Sequence, residues 1–187
     1  MSYGEKFIVR LHTKAAFGAI GRSTLRSQGA PGMVDCARRF LASSVAIGDF
    51  NVESEAQFGK MLDRYTKRLA NSFPDAGKGN WGAARKALNI FLRDVVYNRT
   101  LSDHYGVEHI HEWLELPMDR HCYDGLARLA SEKVGVWPKI KYLKPHENVY
   151  FQNVASEVAK QESIFRVDLD IVFWQSEKLD ELLKRSP

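Results

Sequence analysis

Lys86 and Asp119 are the residues of this 187-residue chain whose type and placement best suit chemistry. Lys86 falls near the start of an expected helix opened by Trp81-Gly82. Asp119 directly follows Leu116-Pro117-Met118 at the head of another. An amine that has lost its proton is a nucleophile, and a carboxylate is a base or a fixed negative charge. Each residue also has a plainer role. A lysine on an amphipathic helix lays its stem on apolar surface, and an aspartate at a helix start caps it.

Other residues offer weaker chemistry. Asp168 and Asp170 form an Asp-x-Asp able in principle to hold Mg²⁺, but positions two apart do not share a helix face. One of them is better read as a pocket acid. His104, His109, His111 and His121 cluster in sequence without a standard zinc spacing. Cys36 and Cys122 are too few for a disulfide scaffold or an iron–sulfur cluster, and read as idle thiols in a reducing cytoplasm. Neither cofactor nor metal is expected.

The elements that must position these residues read as helices. Residues 1–33 look mostly irregular, broken by Gly18, Gly21, Gly29 and the Ala30-Pro31-Gly32 turn. Residues 34–47 read as a helix stopped by Gly48. Ser54 and Gln57 suggest a capping box for a helix that Pro74 ends. A Gly-rich loop over 75–80 precedes the helix from Trp81, whose apolar face is Ala84, Ala87, Leu88, Phe91, Leu92, Val95 and Val96. Short helical pieces follow at 101–105 and 107–114. Asp119 then caps a helix to about Ala130, and Pro145 starts one to about Gln161. The last segment alternates like a strand from Phe165 to Phe173. With no partner strand evident, it reads as a helix running to the end. The expectation is one all-α domain of about seven helices.

The bulk numbers agree with that reading. The chain is 44% hydrophobic and 27% charged, which suits a globular core. No segment has the apolar length of a membrane helix, and the N-terminus lacks a secretory pattern. A cytoplasmic protein is expected. The net charge of +4 is concentrated in residues 1–48, where Lys6, Arg10, Lys14, Arg22, Arg26, Arg38 and Arg39 face only Glu5 and Asp35. Such an arm attracts phosphate backbones.

Gly82-Ala83-Ala84-Arg85-Lys86-Ala87-Leu88-Asn89 resembles the helix-hairpin-helix motif of the DNA glycosylases related to endonuclease III, Gly-x-Gly-x-Lys-Thr-Ala. Met118-Asp119-Arg120-His121 is similar to that family's Val-Asp-Thr-His, and Arg128 matches an arginine nine positions after the aspartate. The resemblance covers residues 82–128. It departs from the pattern at Ala84, where the family has its second glycine, and at Ala87-Leu88.

The resemblance implies an all-α fold with a helix-hairpin-helix element, and a partner in double-stranded DNA carrying a damaged or modified base. Backbone groups of the hairpin would bind a phosphate, with Gly79, Gly82, Ala84, Arg85, His121 and Arg128 at the DNA. The target base would be flipped into a pocket. Asp119 would stabilise the positive sugar as the glycosidic bond breaks, and Lys86 would attack the sugar to form a Schiff base. Trp81, Tyr123 and Asp168 are the expected pocket residues. Repair and removal of modified bases from phage DNA fit equally. Two other readings stay open: a non-catalytic helical DNA-binding or adaptor domain, and a metal-dependent nuclease using Asp168 and Asp170.

Overall fold

A computed structural model describes residues 1–21, 23–25 and 31–174. Among these residues the chain forms eight α-helices joined by five short 3₁₀ helices, with no strand. The all-α expectation holds. No helix in this set is long and apolar enough to cross a membrane.

The first correction comes at the N-terminus. Helix α1 spans Tyr3–Ala19, where an irregular segment was expected. Ser2 Oγ accepts the Glu5 N–H at 3.2 Å, and Glu5 Oε2 accepts the Ser2 N–H at 2.6 Å, a reciprocal capping box. Ile8, Leu11, Ala15, Ala16 and Ala19 recur at helical spacing on its inner side. Gly4 and Gly18 lower the propensity of α1 without breaking it, because packing of that face outweighs them. Arg22 and Arg26 lie outside the described residues.

Helix α2 spans Met33–Ser43 and stops short of the expected end at residue 47. Gly48 belongs to a separate 3₁₀ turn, Ile47–Phe50, instead of ending the helix. Helix α3 spans Glu55–Ser72, and Ser54 Oγ accepts the Gln57 N–H as expected. The Gln57 side chain reaches Glu53 N rather than Ser54 N, so the box is displaced by one residue.

Helix α4, Trp81–Tyr97, is the axis of the molecule. It packs against α1, α2 and α3, and against α5, Arg99–Tyr105. Leu88, Phe91, Leu92 and Val95 are wholly buried. Burial of α4 goes beyond the one-sided stripe expected of it: Arg85, Lys86 and Asn89 are inside as well. A buried charge needs a partner, and each of these has one.

Helix α6, Arg120–Leu129, starts at Asp119, whose Oδ1 accepts the Cys122 N–H at 2.9 Å. Helix α7, Pro145–Gln161, starts with its proline at the first position. Helix α8 is only Leu169–Phe173, and the expected continuation over 175–187 lies outside the described residues. Phe173 packs against Gly125, where a Cβ would come within 2.4 Å of the ring. That close approach brings α8 onto α6.

A buried polar network ties these helices together. Glu115 accepts from Arg85 Nη2 at 2.6 Å, from Arg85 Nε at 2.7 Å and from Asn148 Nδ2 at 3.0 Å. Burial opposes the charge on Glu115, but Arg85 and the hydrogen bonds outweigh it and hold the carboxyl below its usual range.

Candidate functional site

A cleft of about 860 Å³ opens between α4, α6, α8 and the turn after α1. Its polar wall carries Lys86, Arg93, Asp119 and Asp170. Its rim carries His121, Asp124 and Arg128, and Ile171, Phe173 and Trp174 supply the apolar side.

Lys86 and Asp119 meet in this cleft. Lys86 Nζ lies 2.8 Å from Asp119 Oδ2 and 3.2 Å from the Thr24 carbonyl oxygen. The α4 helix fixes one partner. The cap fixes the other, since Oδ1 is held by the α6 backbone while Oδ2 stays free for the lysine. Their side chains are 8% and 18% exposed, so the pair is shielded yet reachable from the cleft. Burial disfavours the Asp119 carboxylate. The Lys86 ammonium, the Cys122 N–H and His121 outweigh that and hold its pKa below the usual value.

Asp170 faces the same cleft from α8. It is ion-paired with Arg93 and accepts a long 3.5 Å contact from Cys122 Sγ. Burial pushes its carboxyl up, and the neighbouring Asp119 charge adds to this against the pull of Arg93. Arg93 is also held by Asp94, so its guanidinium is clamped from both sides. Burial pushes the Cys122 thiol well above its ordinary value, which makes it an inert donor beneath the site.

Helix α6 presents His121, Asp124, Gly125 and Arg128 to the cleft, spaced as one helical face. His121 and Arg128 are exposed, and neither has a hydrogen bond or ion pair among the described residues. They are available to a ligand.

The remaining expected DNA contacts divide. Gly79 is exposed with φ +78°, in the turn between α3 and α4. Gly82, Ala84 and Arg85 are inside, contrary to expectation. A Cβ on Gly82 would meet the Ile140 carbonyl oxygen at 2.2 Å, so the 3₁₀ turn Ile140–Tyr142 sits directly on the start of α4. The glycine is required by packing there. Ala84 is fully buried in the first turn of α4. Arg85 spends its guanidinium on Glu115 and, at 2.8 Å, on Asp63.

None of the three expected pocket residues lines the cleft. Trp81 lies under Arg85, 5.3 Å from guanidinium to ring centre. Tyr123 stacks on Trp137 at 5.8 Å. Asp168 turns away to Tyr97 and to His111, whose Nε2 is 2.8 Å from Oδ1. Phe173 and Trp174 are the cleft aromatics instead, and Trp174 is 57% exposed. The sequence held one signal for this: Asp170 and Trp174 are four apart, the spacing of one helical face.

The Asp-x-Asp is split, because Asp168 and Asp170 serve different partners. The histidines also diverge. His109 bonds the Val52 carbonyl, His104 stacks edge-on against Tyr105, and only His121 reaches the cleft. Among the described residues no three His, Cys, Asp or Glu side chains converge to hold a metal ion.

No family model, curated protein or solved structure matches this chain.

Proposed function

We propose that the chain is a DNA glycosylase that cleaves the N-glycosidic bond of a damaged or modified base in double-stranded DNA. The observation that carries this reading is the 2.8 Å Lys86–Asp119 pair in an open cleft. The resemblance in sequence rests on those two residues, and their side chains had to share one cleft for it to stand.

The chemistry follows from the pair. The anionic Asp119 stabilises the positive charge that builds on the sugar as the base departs with the bonding electrons. Two nucleophiles can then complete the reaction. Water can attack C1′, passing its proton to Asp119. Alternatively Lys86 attacks C1′ to form a C–N bond; the C1′–O4′ bond then breaks, its oxygen taking a proton, to leave a Schiff base that permits an additional lyase step. As an ammonium it has no free electron pair, so it must first release a proton. Asp119 Oδ2, already hydrogen-bonded to Nζ, is the nearest acceptor. His121, Arg128 and Trp174 line the cleft; in this reading His121 and Arg128 would meet flanking phosphates and Trp174 the face of an extruded base.

A second reading is a DNA-binding domain without chemistry. It is favoured by one observation: Asp119 already has structural work, capping α6 and neutralising Lys86.

Borohydride trapping on duplexes carrying varied lesions and modified bases separates these readings. A covalent adduct lost in Lys86→Gln supports the lyase. Abasic sites formed without an adduct, and abolished by Asp119→Asn, support the water route. Duplex binding without base release from any substrate leaves the non-catalytic domain.

A further inference from the structure

The outer side of α1 is a stripe of alternating rings and cations. Tyr3, Lys6, Phe7, Arg10, Lys14 and Phe17 fall within an arc of about 100° on the helix, over a rise of about 21 Å. All six are exposed, and the rings strongly so: Tyr3 is 90% exposed, Phe7 56% and Phe17 46%. The stripe holds no acid. Glu5 is turned to Ser2. Lys6 lies over the Tyr3 ring and Arg38 of α2 over the Phe17 ring, so the two kinds of side chain are interleaved at both ends.

A helix that dips into a membrane segregates its apolar residues from its cations. Here the two are mixed on one face, while the segregated apolar side of α1 is already spent on the core. Cations spaced four residues apart, with rings between them, match a flexible polyanion whose repeating units carry both a phosphate and an aromatic face. In a duplex the base faces are stacked away, and the rings would find nothing to cover. We infer that the outer face of α1 binds single-stranded DNA, with Lys6, Arg10 and Lys14 on phosphates and Tyr3, Phe7 and Phe17 stacked on unpaired bases. This site stands on α1 alone, and it holds whether or not the cleft is catalytic. The helix runs towards the cleft, which Ala19 at its end helps to line. A bound strand would therefore continue towards Lys86 and Asp119.

The test is fluorescence anisotropy with the full chain. The probes are labelled oligo-dT, the same strand paired with oligo-dA, and vesicles of phosphatidylcholine with phosphatidylserine. Oligo-dT is expected to bind more tightly than the duplex. Tyr3→Ala/Phe7→Ala/Phe17→Ala should weaken oligo-dT binding by at least about tenfold and leave the duplex unchanged. Lys6→Gln/Arg10→Gln/Lys14→Gln should weaken both and lower the salt slope for oligo-dT by about 2. Because all six residues are exposed, these variants should melt as the parent does. Phe7→Trp gives a second readout: affinity is kept, and the indole emission is quenched by oligo-dT. Unchanged oligo-dT affinity in the aromatic variant overturns the inference. So does vesicle binding without oligonucleotide binding, or a dimer in gel filtration that the aromatic variant dissociates.

Discussion

Lys86 Nζ and Asp119 Oδ2 lie 2.8 Å apart, although α4 and α6 hold them far apart in sequence and both side chains are largely withdrawn from water. Asp119 divides its two oxygens between jobs: Oδ1 caps α6 and Oδ2 meets the lysine. The cap and the ion pair therefore fall on different atoms and can be separated by substitution.

Asp119→Asn should keep the cap, because an amide oxygen still accepts the Cys122 N–H, while removing the charge that faces Lys86. Asp119→Ala should lose about 1 kcal/mol more stability in urea denaturation. Lys86→Met leaves the Asp119 carboxylate shielded without its counter-charge and should cost about 3 kcal/mol. The double variant Lys86→Met/Asp119→Asn should recover part of that. A coupling above about 1 kcal/mol is expected in the cycle, and a value near zero would make the pair no more than a surface contact.

Acid should unfold the protein through Glu115 and Asp119. Burial opposes both charges, but Arg85 and Lys86 outweigh it, so both folded pKa values lie below the ordinary 4.5 and 3.8. A depressed carboxyl contributes stability that is fully present above its ordinary value and is lost as pH falls through the folded one. Asp170, raised by burial, works the other way: deprotonating it costs stability as pH climbs above 3.8. The urea midpoint of the parent should therefore fall steeply below pH 4.5. In Glu115→Gln it should start lower at neutral pH and fall less. Parallel curves for the two proteins would remove Glu115 from the acid transition.

Gly82→Ala distinguishes packing from phosphate binding at the head of α4. Its Cβ would sit 2.2 Å from the Ile140 carbonyl oxygen, a backbone atom that yields only if the 3₁₀ turn moves. A loss of about 1–3 kcal/mol is expected by thermal or urea unfolding. Full stability with weakened duplex binding would instead give Gly82 to the DNA.

His121→Ala and Arg128→Ala should behave in the opposite way. Both residues are exposed at the cleft rim without a hydrogen bond or ion pair among the described residues, and His121 acts on Asp119 only through its charge, so stability should stay within about 0.5 kcal/mol. Duplex affinity should drop, and Arg128→Ala should lower the salt slope by about 1. Duplex binding equal to the parent's in both variants would move the interface elsewhere.

Features set by a few neighbouring residues were legible in the sequence. Asp119 as a cap, Ser54 as a cap, Pro145 at a first helical position and the α4 stripe all appear as expected, because a backbone N–H within three residues is a local matter. The opposed directions of Asp168 and Asp170 were also readable, from positions two apart. Helix α1 carries a local signal as well, the Ser2 and Glu5 capping box, set against the glycines that argue for an irregular segment.

What lies across from a residue was not legible. Sequence alone marks Gly82 as a glycine at a helix start. Only the tertiary structure puts Ile140 on top of it and turns a phosphate turn into a packing contact. Sequence alone makes Arg85 a surface cation. The fold places Glu115 and Asp63 against it and takes it inside. Trp81 and Tyr123 stand beside the motifs in sequence, yet Trp174, far along the chain, reaches the cleft because Gly125 lets Phe173 and α8 close on α6. By itself the sequence determined the all-α class, the caps at Ser54 and Asp119, the proline start at Pro145 and the choice of Lys86 and Asp119 as candidates. Long-range packing, which depends on side-chain volumes many residues apart, decided that those two meet and which aromatic faces them.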